Sequence, residues 1–117
     1  MTVRRLKTYT GSQGYVYQYY FVGQRAAQGR ADSTEYVFDV TSDRKLTYSV
    51  SILLPRPAVA AWAESHLRPL ADSEQYAAVK LRLFRAFDEL EDMQSAGRHL
   101  EIDGSFLEAS LASLGVE

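Results

Sequence analysis

Residue types that commonly carry out chemistry are scarce in this chain. It contains no cysteine and only two histidines, His66 and His99. The lack of cysteine excludes a thiol nucleophile, a disulfide framework and any cysteine-bound zinc or iron–sulfur centre. His66 falls on the apolar side of a predicted helix. We therefore expect a partly buried, hydrogen-bonded imidazole there rather than a base or a ligand.

The segment around the second histidine has the composition of a metal site. His99, Glu101 and Asp103 would share one face if this segment were extended, and imidazole and carboxylate groups are common metal ligands. No second group of ligands accompanies them. We therefore expect a surface loop, and we predict no metal and no other cofactor.

Four carboxylates, Asp88, Glu89, Glu91 and Asp92, lie close together near the C-terminal end of a predicted helix. The helix macrodipole disfavours negative charge at this end, so the cluster invites a functional explanation. Two interpretations remain open. The cluster is either a solvated helix face with Arg85 as an internal partner, or a docking site for a basic partner or a cation.

No other catalytic or nucleotide-binding pattern is present. The serines form no nucleophile elbow, and the glycines match neither a phosphate-binding loop nor a dinucleotide-binding fingerprint. The turn-forming residues 10–14 resemble an anion-binding loop in composition, but no helix follows them, and a hairpin turn is the expectation. The sequence therefore contains no constellation that supports an enzymatic activity.

The charge of the chain is unevenly distributed. Residues 1–56 carry eight lysine or arginine residues and four acidic ones, whereas residues 57–117 carry five and eleven. Attraction between two halves of one fold explains this asymmetry, and so does a basic surface for an anionic partner. If that partner is a nucleic acid, the expected contact residues are Arg4, Arg5, Lys7, Arg25, Arg30 and Arg44.

The elements that position these residues are organised around residues 14–23, where five of the eight residues between two glycines are aromatic. Aromatic and β-branched side chains favour a strand. An aromatic strand near basic residues can stack RNA bases, but the strands precede the helices here, unlike in the RNA-recognition fold. We therefore expect these rings to form the core of the protein.

A hairpin follows this aromatic strand. A type II′ turn with Gly29 and Arg30 as its central residues would match the twist of the flanking strands, and it requires a positive φ at Gly29. The resulting register pairs Gln28 with Ala31, Val22 with Val37, Phe21 with Phe38, Tyr20 with Asp39 and Tyr19 with Val40.

Residues 45–54 alternate cleanly between apolar and polar side chains and predict a third strand of the meander. Matching the apolar faces pairs Val40 with Leu46, Phe38 with Tyr48 and Tyr36 with Val50. Residues 2–10 predict a weaker strand at the edge of the sheet.

A Pro-Arg-Pro sequence then ends the sheet. Apolar residues at helical spacing predict three amphipathic helices within residues 57–115. Capping boxes are expected to start the second and third helices, formed by Asp72 with Gln75 and by Ser105 with Glu108. Gly97 is expected to follow the end of the second helix.

These elements predict a single α+β domain over residues 1–117, strand-rich in 1–54 and helical in 57–115. An antiparallel meander of three to four strands carries the three helices on one face. The expected core comprises Tyr15, Tyr17, Tyr19, Phe21, Tyr36, Phe38, Tyr48, Val50, Ile52, Trp62, Leu83, Phe87 and Leu111. The residues before Gly14 include no apolar stretch of signal-peptide length, and no apolar run reaches membrane-spanning length, so we expect a cytoplasmic protein.

The opposite face of the sheet should be polar, and on two of the strands it is. In the aromatic strand, however, Val16, Tyr20 and Val22 point away from the helices, with Val37 beside them. Contiguous apolar residues on an otherwise polar face often mark an interaction site. We therefore predict that these four residues form a partner-binding surface, unless another segment of the chain covers them.

These observations favour a small intracellular module that acts through protein contacts, with a homodimer as the first expectation. The alternative is a nucleic-acid-associated protein that uses the basic N-terminal half. A second alternative is a protein that binds a small ligand in a groove between the sheet and the helices.

Overall fold

The computed structural model describes residues 5–117, apart from the side chains of residues 30 and 31. The strands are β1 (Lys7–Thr10), β2 (Val16–Ala27), β3 (Arg30–Thr41), β4 (Tyr48–Pro55) and β5 (His99–Glu101). The helices are α1 (Arg56–His66), α2 (Asp72–Glu89), the single turn α3 (Met93–Ala96) and α4 (Gly104–Ser113). Within this part of the chain, no helix is both long enough and apolar enough to cross a bilayer.

The five strands form one sheet in the order β1-β2-β3-β4-β5. The first four strands run antiparallel to their neighbours, whereas β5 pairs with β4 in parallel after the chain has passed through three helices. The α+β class, the antiparallel meander and the packing of helices on the sheet are therefore confirmed. The segment around His99, for which a surface loop was expected, forms this fifth strand.

Aromatic stacking between the sheet and α2 forms the centre of the core. The ring of Tyr17 stacks on Phe87 with centroids 4.1 Å apart, and the ring of Tyr9 stacks on Phe84 at 4.4 Å. Aromatic pairs of this kind contribute about 0.5–1.5 kcal/mol each beyond the area they bury. All but two of the expected core residues are buried; Phe21 is partly buried, and Tyr15 is 48% exposed because it precedes β2. The prediction for Tyr15 is therefore wrong.

The hairpin between β2 and β3 confirms part of the predicted register and corrects the rest. Gly29 has a φ of 71°, as expected, but Ala27 pairs with Arg30, so the two central residues of the turn are Gln28 and Gly29. Gly29 thus stands at the second central position, not the first. A register shift near Ala26 absorbs the difference between the turn and the strands. The predicted pairing of Gln28 with Ala31 is wrong.

Closer to the middle of the sheet, Phe21 pairs with Phe38 as predicted. A β-bulge at Val22 then shifts the register by one residue, so that Gly23, and not Val22, lies opposite Val37. A bulge places two residues of one strand against one residue of its partner. The alternation of the faces is preserved on β3, where Phe38 stays in the core.

The predicted register between β3 and β4 is wrong by two residues, because Phe38 pairs with Val50 and not with Tyr48. The cause is the turn before β4. The Asp43 carboxylate accepts hydrogen bonds from the backbone N–H groups of Lys45 and Leu46, which keeps these residues out of the strand. A shift of two residues leaves every side chain on its predicted face.

The helix starts also differ from the predictions by one or two residues. At α2, the N-cap is Ala71, and the Glu74 carboxylate accepts a hydrogen bond from its backbone N–H at 2.9 Å. At α4, the N-cap is Asp103, whose carboxylate accepts from the N–H of Phe106 at 2.8 Å. In both cases a carboxylate two residues from the predicted cap accepts from a backbone N–H group at the start of the helix.

The second predicted helix is split. It ends at Glu89, and Gly97 follows the separate turn α3 with a φ of −111°. Gly97 packs against the Met93 side chain, whose sulfur would have to move to accommodate a Cβ atom there.

Candidate functional site

The face of the sheet turned away from the core is the candidate site. Tyr17, Tyr36, Phe38 and Val50 point towards the helices and are buried, so the residues that alternate with them point outwards. We call this surface the open face. It comprises Leu6 and Thr8 near β1; Val16, Gln18, Tyr20, Val22 and Arg25 on β2; Glu35, Val37, Asp39 and Thr41 on β3; and Ser49, Ser51, Leu53, His99 and Glu101 beyond them.

The structure brings together three of the four residues predicted to bind a partner. Val22 and Val37 line the same shallow depression of about 210 Å³, and Tyr20 lies one row away on β2. Val16 is the outlier, because Gln18 separates it from Tyr20. The two outermost valines are substantially exposed, Val16 by 46% and Val22 by 38%.

A hydrogen bond holds Tyr20 in place. Its hydroxyl donates to the Asp39 carboxylate at 2.7 Å, across the β2–β3 pair, and the Ser49 hydroxyl lies 3.4 Å from the same carboxylate. The side chain is therefore half-buried and tethered at its hydroxyl end. A fixed aromatic ring loses little conformational entropy when a partner packs on it.

Sequence reasoning missed one contributor to this surface. Leu6 is 53% exposed and lines a depression of about 420 Å³ together with Tyr20, Asp39 and Arg44. The only signal for it in the sequence is that Leu6, Lys7 and Thr8 alternate between apolar and polar side chains. That alternation assigns a face only after the pairing of β1 with β2 is known.

The far end of the open face is polar and was also missed. The Arg25 guanidinium donates a hydrogen bond to the Glu35 carboxylate at 2.7 Å, and a depression of about 390 Å³ beside them is lined by Ser51 and His99. Arg25 lowers the pKa of Glu35 most, followed by the Ser51 hydroxyl, while burial acts in the opposite direction and His99 adds a smaller decrease.

The bulge explains why this ion pair could not be predicted. The register derived from the sequence placed Arg25 opposite Thr34, whereas the extra residue at Val22 moves it opposite Glu35. Without the bulge, the two charges would have fallen on different faces of the sheet.

Where the structure describes them, the basic residues predicted for nucleic-acid binding do not form one surface. Arg4 and the side chain of Arg30 lie outside the described residues. Arg25 and Arg44 lie near opposite ends of the open face, about 20 Å apart at the usual rise per strand residue. Lys7 pairs with the buried Tyr19, on the face covered by the helices, and Arg5 is exposed before β1.

The acidic cluster at the end of α2 has structural roles in the described chain. The Asp88 carboxylate accepts hydrogen bonds from the Tyr9 hydroxyl at 2.9 Å and from the Ser12 N–H at 3.0 Å. Glu89 pairs with Arg85, and Asp92 caps α3 by accepting from the N–H of Ser95. The cluster thus ties the β1–β2 loop to the end of α2, which explains its unfavourable position.

The two histidines differ in their surroundings. His66 stacks on Trp62 with ring centroids 4.0 Å apart, and its Nε2 lies 2.9 Å from the Glu108 carboxylate. This agrees with the expected hydrogen-bonded imidazole. His99 lies on β5 rather than in a loop. In the described residues, no three histidine, aspartate or glutamate side chains are grouped so as to hold a metal ion.

Comparisons with protein-family models, with curated proteins and with solved structures find no match to this chain. The open face and its geometry are therefore the basis for a functional proposal.

Proposed function

We propose that the protein is an assembly module that forms a homodimer through the open face. The observation that carries this proposal is the set of exposed and half-buried apolar side chains on a sheet face over which no helix of residues 5–117 packs. Val22, Val37 and Tyr20 form its centre, with Leu6 and Val16 at its margins. Apolar residues in such a group lose contact with water when a partner covers them, which stabilises the complex.

Charge supports a second copy of the chain as the partner. The open face carries both signs of charge close together. Arg25 and, at its edge, Arg44 are positive, and Glu35, Asp39 and Glu101 are negative. A surface of mixed charge can complement itself in a two-fold interface, where the same patch occurs on both subunits. A polyanion such as a nucleic acid would meet the acidic groups at close range, and this disfavours the alternative.

The size of the surface is also suitable. The five strands, about 4.8 Å apart and about eight residues long on average, cover about 600 Å² of flat sheet, and side-chain relief adds to this area. A standard protein–protein interface buries about 800 Å² on each partner. The open face is thus of the right order for a stable dimer.

The test introduces a charge at the centre of the proposed interface. Tyr20→Glu and Val22→Glu each place two like charges near the two-fold axis, since every substitution occurs once per chain. We expect dimer affinity to fall about a hundredfold or more. The matched control is Leu67→Glu, which introduces the same charge in place of an apolar side chain that is 91% exposed at the C-cap of α1.

Light scattering measures the mass of each variant, and circular dichroism verifies that it is folded. The proposal predicts a dimeric wild type, a dimeric Leu67→Glu protein and folded monomers for the two variants of the open face. A wild type that stays monomeric at high concentration refutes the homodimer. If both Tyr20→Glu and Val22→Glu unfold, these residues belong to the core of the monomer and the interface is refuted as well.

A further inference from the structure

The open face contains one histidine, a residue type that changes its charge near neutral pH. His99 is exposed on β5, whereas His66, the other histidine of the chain, lies on α1. The partner of His99 on β4 is Ser51, whose partner on β3 is Val37. His99 therefore lies in the same row of the sheet as Val37, two strand spacings or about 10 Å from the centre of the proposed interface.

The charged groups around His99 are already engaged. The depression of about 390 Å³ that His99 lines is shared with Arg25 on β2, Glu35 on β3, the uncharged Ser51 and Leu53 on β4, and Glu101 on β5. The Glu35 carboxylate accepts a hydrogen bond from Arg25 at 2.7 Å, and Glu101 is not without a partner either. Arg98, next to His99 in the chain, donates to a backbone carbonyl of β4 at 3.0 Å. A proton on His99 would therefore add a positive charge to a depression that already contains the guanidinium of Arg25.

Formation of the proposed dimer would move both copies of His99 out of water. Burial disfavours the charged form of an imidazole, whereas the neutral form loses much less. In a two-fold interface every residue occurs twice, so two such charges would enter the same interface. Attraction to Glu35 offsets little of this penalty, because Arg25 lowers the pKa of Glu35 most and His99 lowers it least.

We propose that His99 makes the homodimer sensitive to pH, so that two copies of the chain associate at neutral pH and separate on acidification. This inference rests on the proposed homodimer and names its regulation. A histidine that is neutral in the dimer and free to gain a proton in the monomer favours the dimer above the pH range in which histidine titrates. The dimer is lost as the pH falls through that range. Because two protons must leave for each dimer that forms, the dissociation constant should rise by up to about a hundredfold between about pH 7.5 and about pH 5.5.

The test uses the small number of histidines. Sedimentation equilibrium of the full-length protein measures the dissociation constant across this pH range at constant ionic strength, and circular dichroism verifies the fold at each pH. His99→Gln keeps a polar side chain but cannot gain a proton, so its dissociation constant should stay nearly constant. The matched control is His66→Gln, which removes the other histidine and should keep the pH dependence of the wild type.

The outcomes separate the regulation from the dimer itself. A wild type that is monomeric at every pH refutes the homodimer and its regulation together. A dimer whose dissociation constant is unchanged or smaller at low pH keeps the homodimer and overturns the role of His99, and so does a His99→Gln protein with the pH dependence of the wild type. His99→Lys carries a positive charge throughout the range and should dimerise as weakly at about pH 7.5 as the wild type does at about pH 5.5. If His99→Gln does not fold, the wild-type titration and His99→Lys decide the question.

Discussion

The hydrogen bonds of Asp88 lead to the sharpest prediction about stability. Replacing Asp88 with alanine removes the acceptor for the partly buried Tyr9 hydroxyl, 2.9 Å away, and for the exposed Ser12 N–H, 3.0 Å away. Hydrogen bonds to a charged group contribute about 1.5–3 kcal/mol each, and the exposed one contributes least. Removing a negative charge from the C-terminal end of α2 stabilises the protein by about 0.3–1 kcal/mol and offsets part of this loss.

The net loss expected for Asp88→Ala is therefore about 2–3 kcal/mol in the free energy of unfolding, or about 10 °C in the melting temperature of a domain of this size. Glu91→Ala is the matched control. It removes the same charge from the same cluster at an exposed position, and it should change stability by no more than about 0.5 kcal/mol. Urea unfolding followed by circular dichroism measures both variants.

A double-mutant cycle isolates the central contact. Tyr9→Phe removes the hydroxyl and keeps the ring stacked on Phe84. It should therefore lower the free energy of unfolding by most of what Asp88→Ala loses through the Tyr9 hydrogen bond. The coupling energy between the two substitutions should be about 1–2 kcal/mol. If Asp88→Ala were as harmless as Glu91→Ala, or if the coupling were near zero, the cluster would not hold the β1–β2 loop to α2.

Two further predictions concern the core. Burial raises the pKa of Tyr48 from 10.0 to about 12, so its neutral form stabilises the folded protein; this contribution is complete below pH 10 and lost as the pH approaches about 12. Tyr17, Tyr19 and Tyr36 also have raised pKa values, so the wild type loses stability through several tyrosines. Urea unfolding across this pH range should show a loss in Tyr48→Phe that is smaller than in the wild type by about 2–3 kcal/mol. Gly11→Ala should destabilise the protein by about 1–3 kcal/mol, because its Cβ would lie 2.7 Å from the carbonyl oxygen of Phe87. Gly104→Ala, with nothing within 4 Å, should not destabilise it, and a calorimetric scan that ranks the two alike would contradict the packing at Gly11.

The sequence predicts which side of each strand faces the core because side chains alternate with a period of two. Phe38 and Val50 are buried as expected, although Val50 has a different partner from the one predicted. Register depends on turns, and turns depend on single hydrogen bonds. The Asp43 carboxylate accepts hydrogen bonds from two backbone N–H groups in the turn, and the alternating pattern of β4 does not predict these bonds.

For the candidate site, too, the sequence predicted which side chains face outwards but not which residues lie opposite one another. Val22 and Val37 could be assigned to the outward face from the pattern alone, and they do lie together. The pair of Arg25 with Glu35 could not be predicted, because it exists only after the bulge. The hydrogen bond from Tyr9 to Asp88 joins β1 to α2 across most of the chain, and no local pattern encodes such a distance.

The parallel pairing of β5 with β4 determines the order in which the fold can be completed. Ser51 and His99 are partners in the sheet, yet all of α1, α2 and α3 lies between them in the chain. During synthesis the hairpins formed by β1 to β4 emerge first, with Tyr17 and Phe38 still uncovered by α2. Such intermediates expose apolar rings and a strand edge, which makes them prone to aggregation and a natural substrate for chaperones. The last strand joins the sheet only after β1 to β4 and three helices have been made, so folding is slow relative to a local meander of the same length.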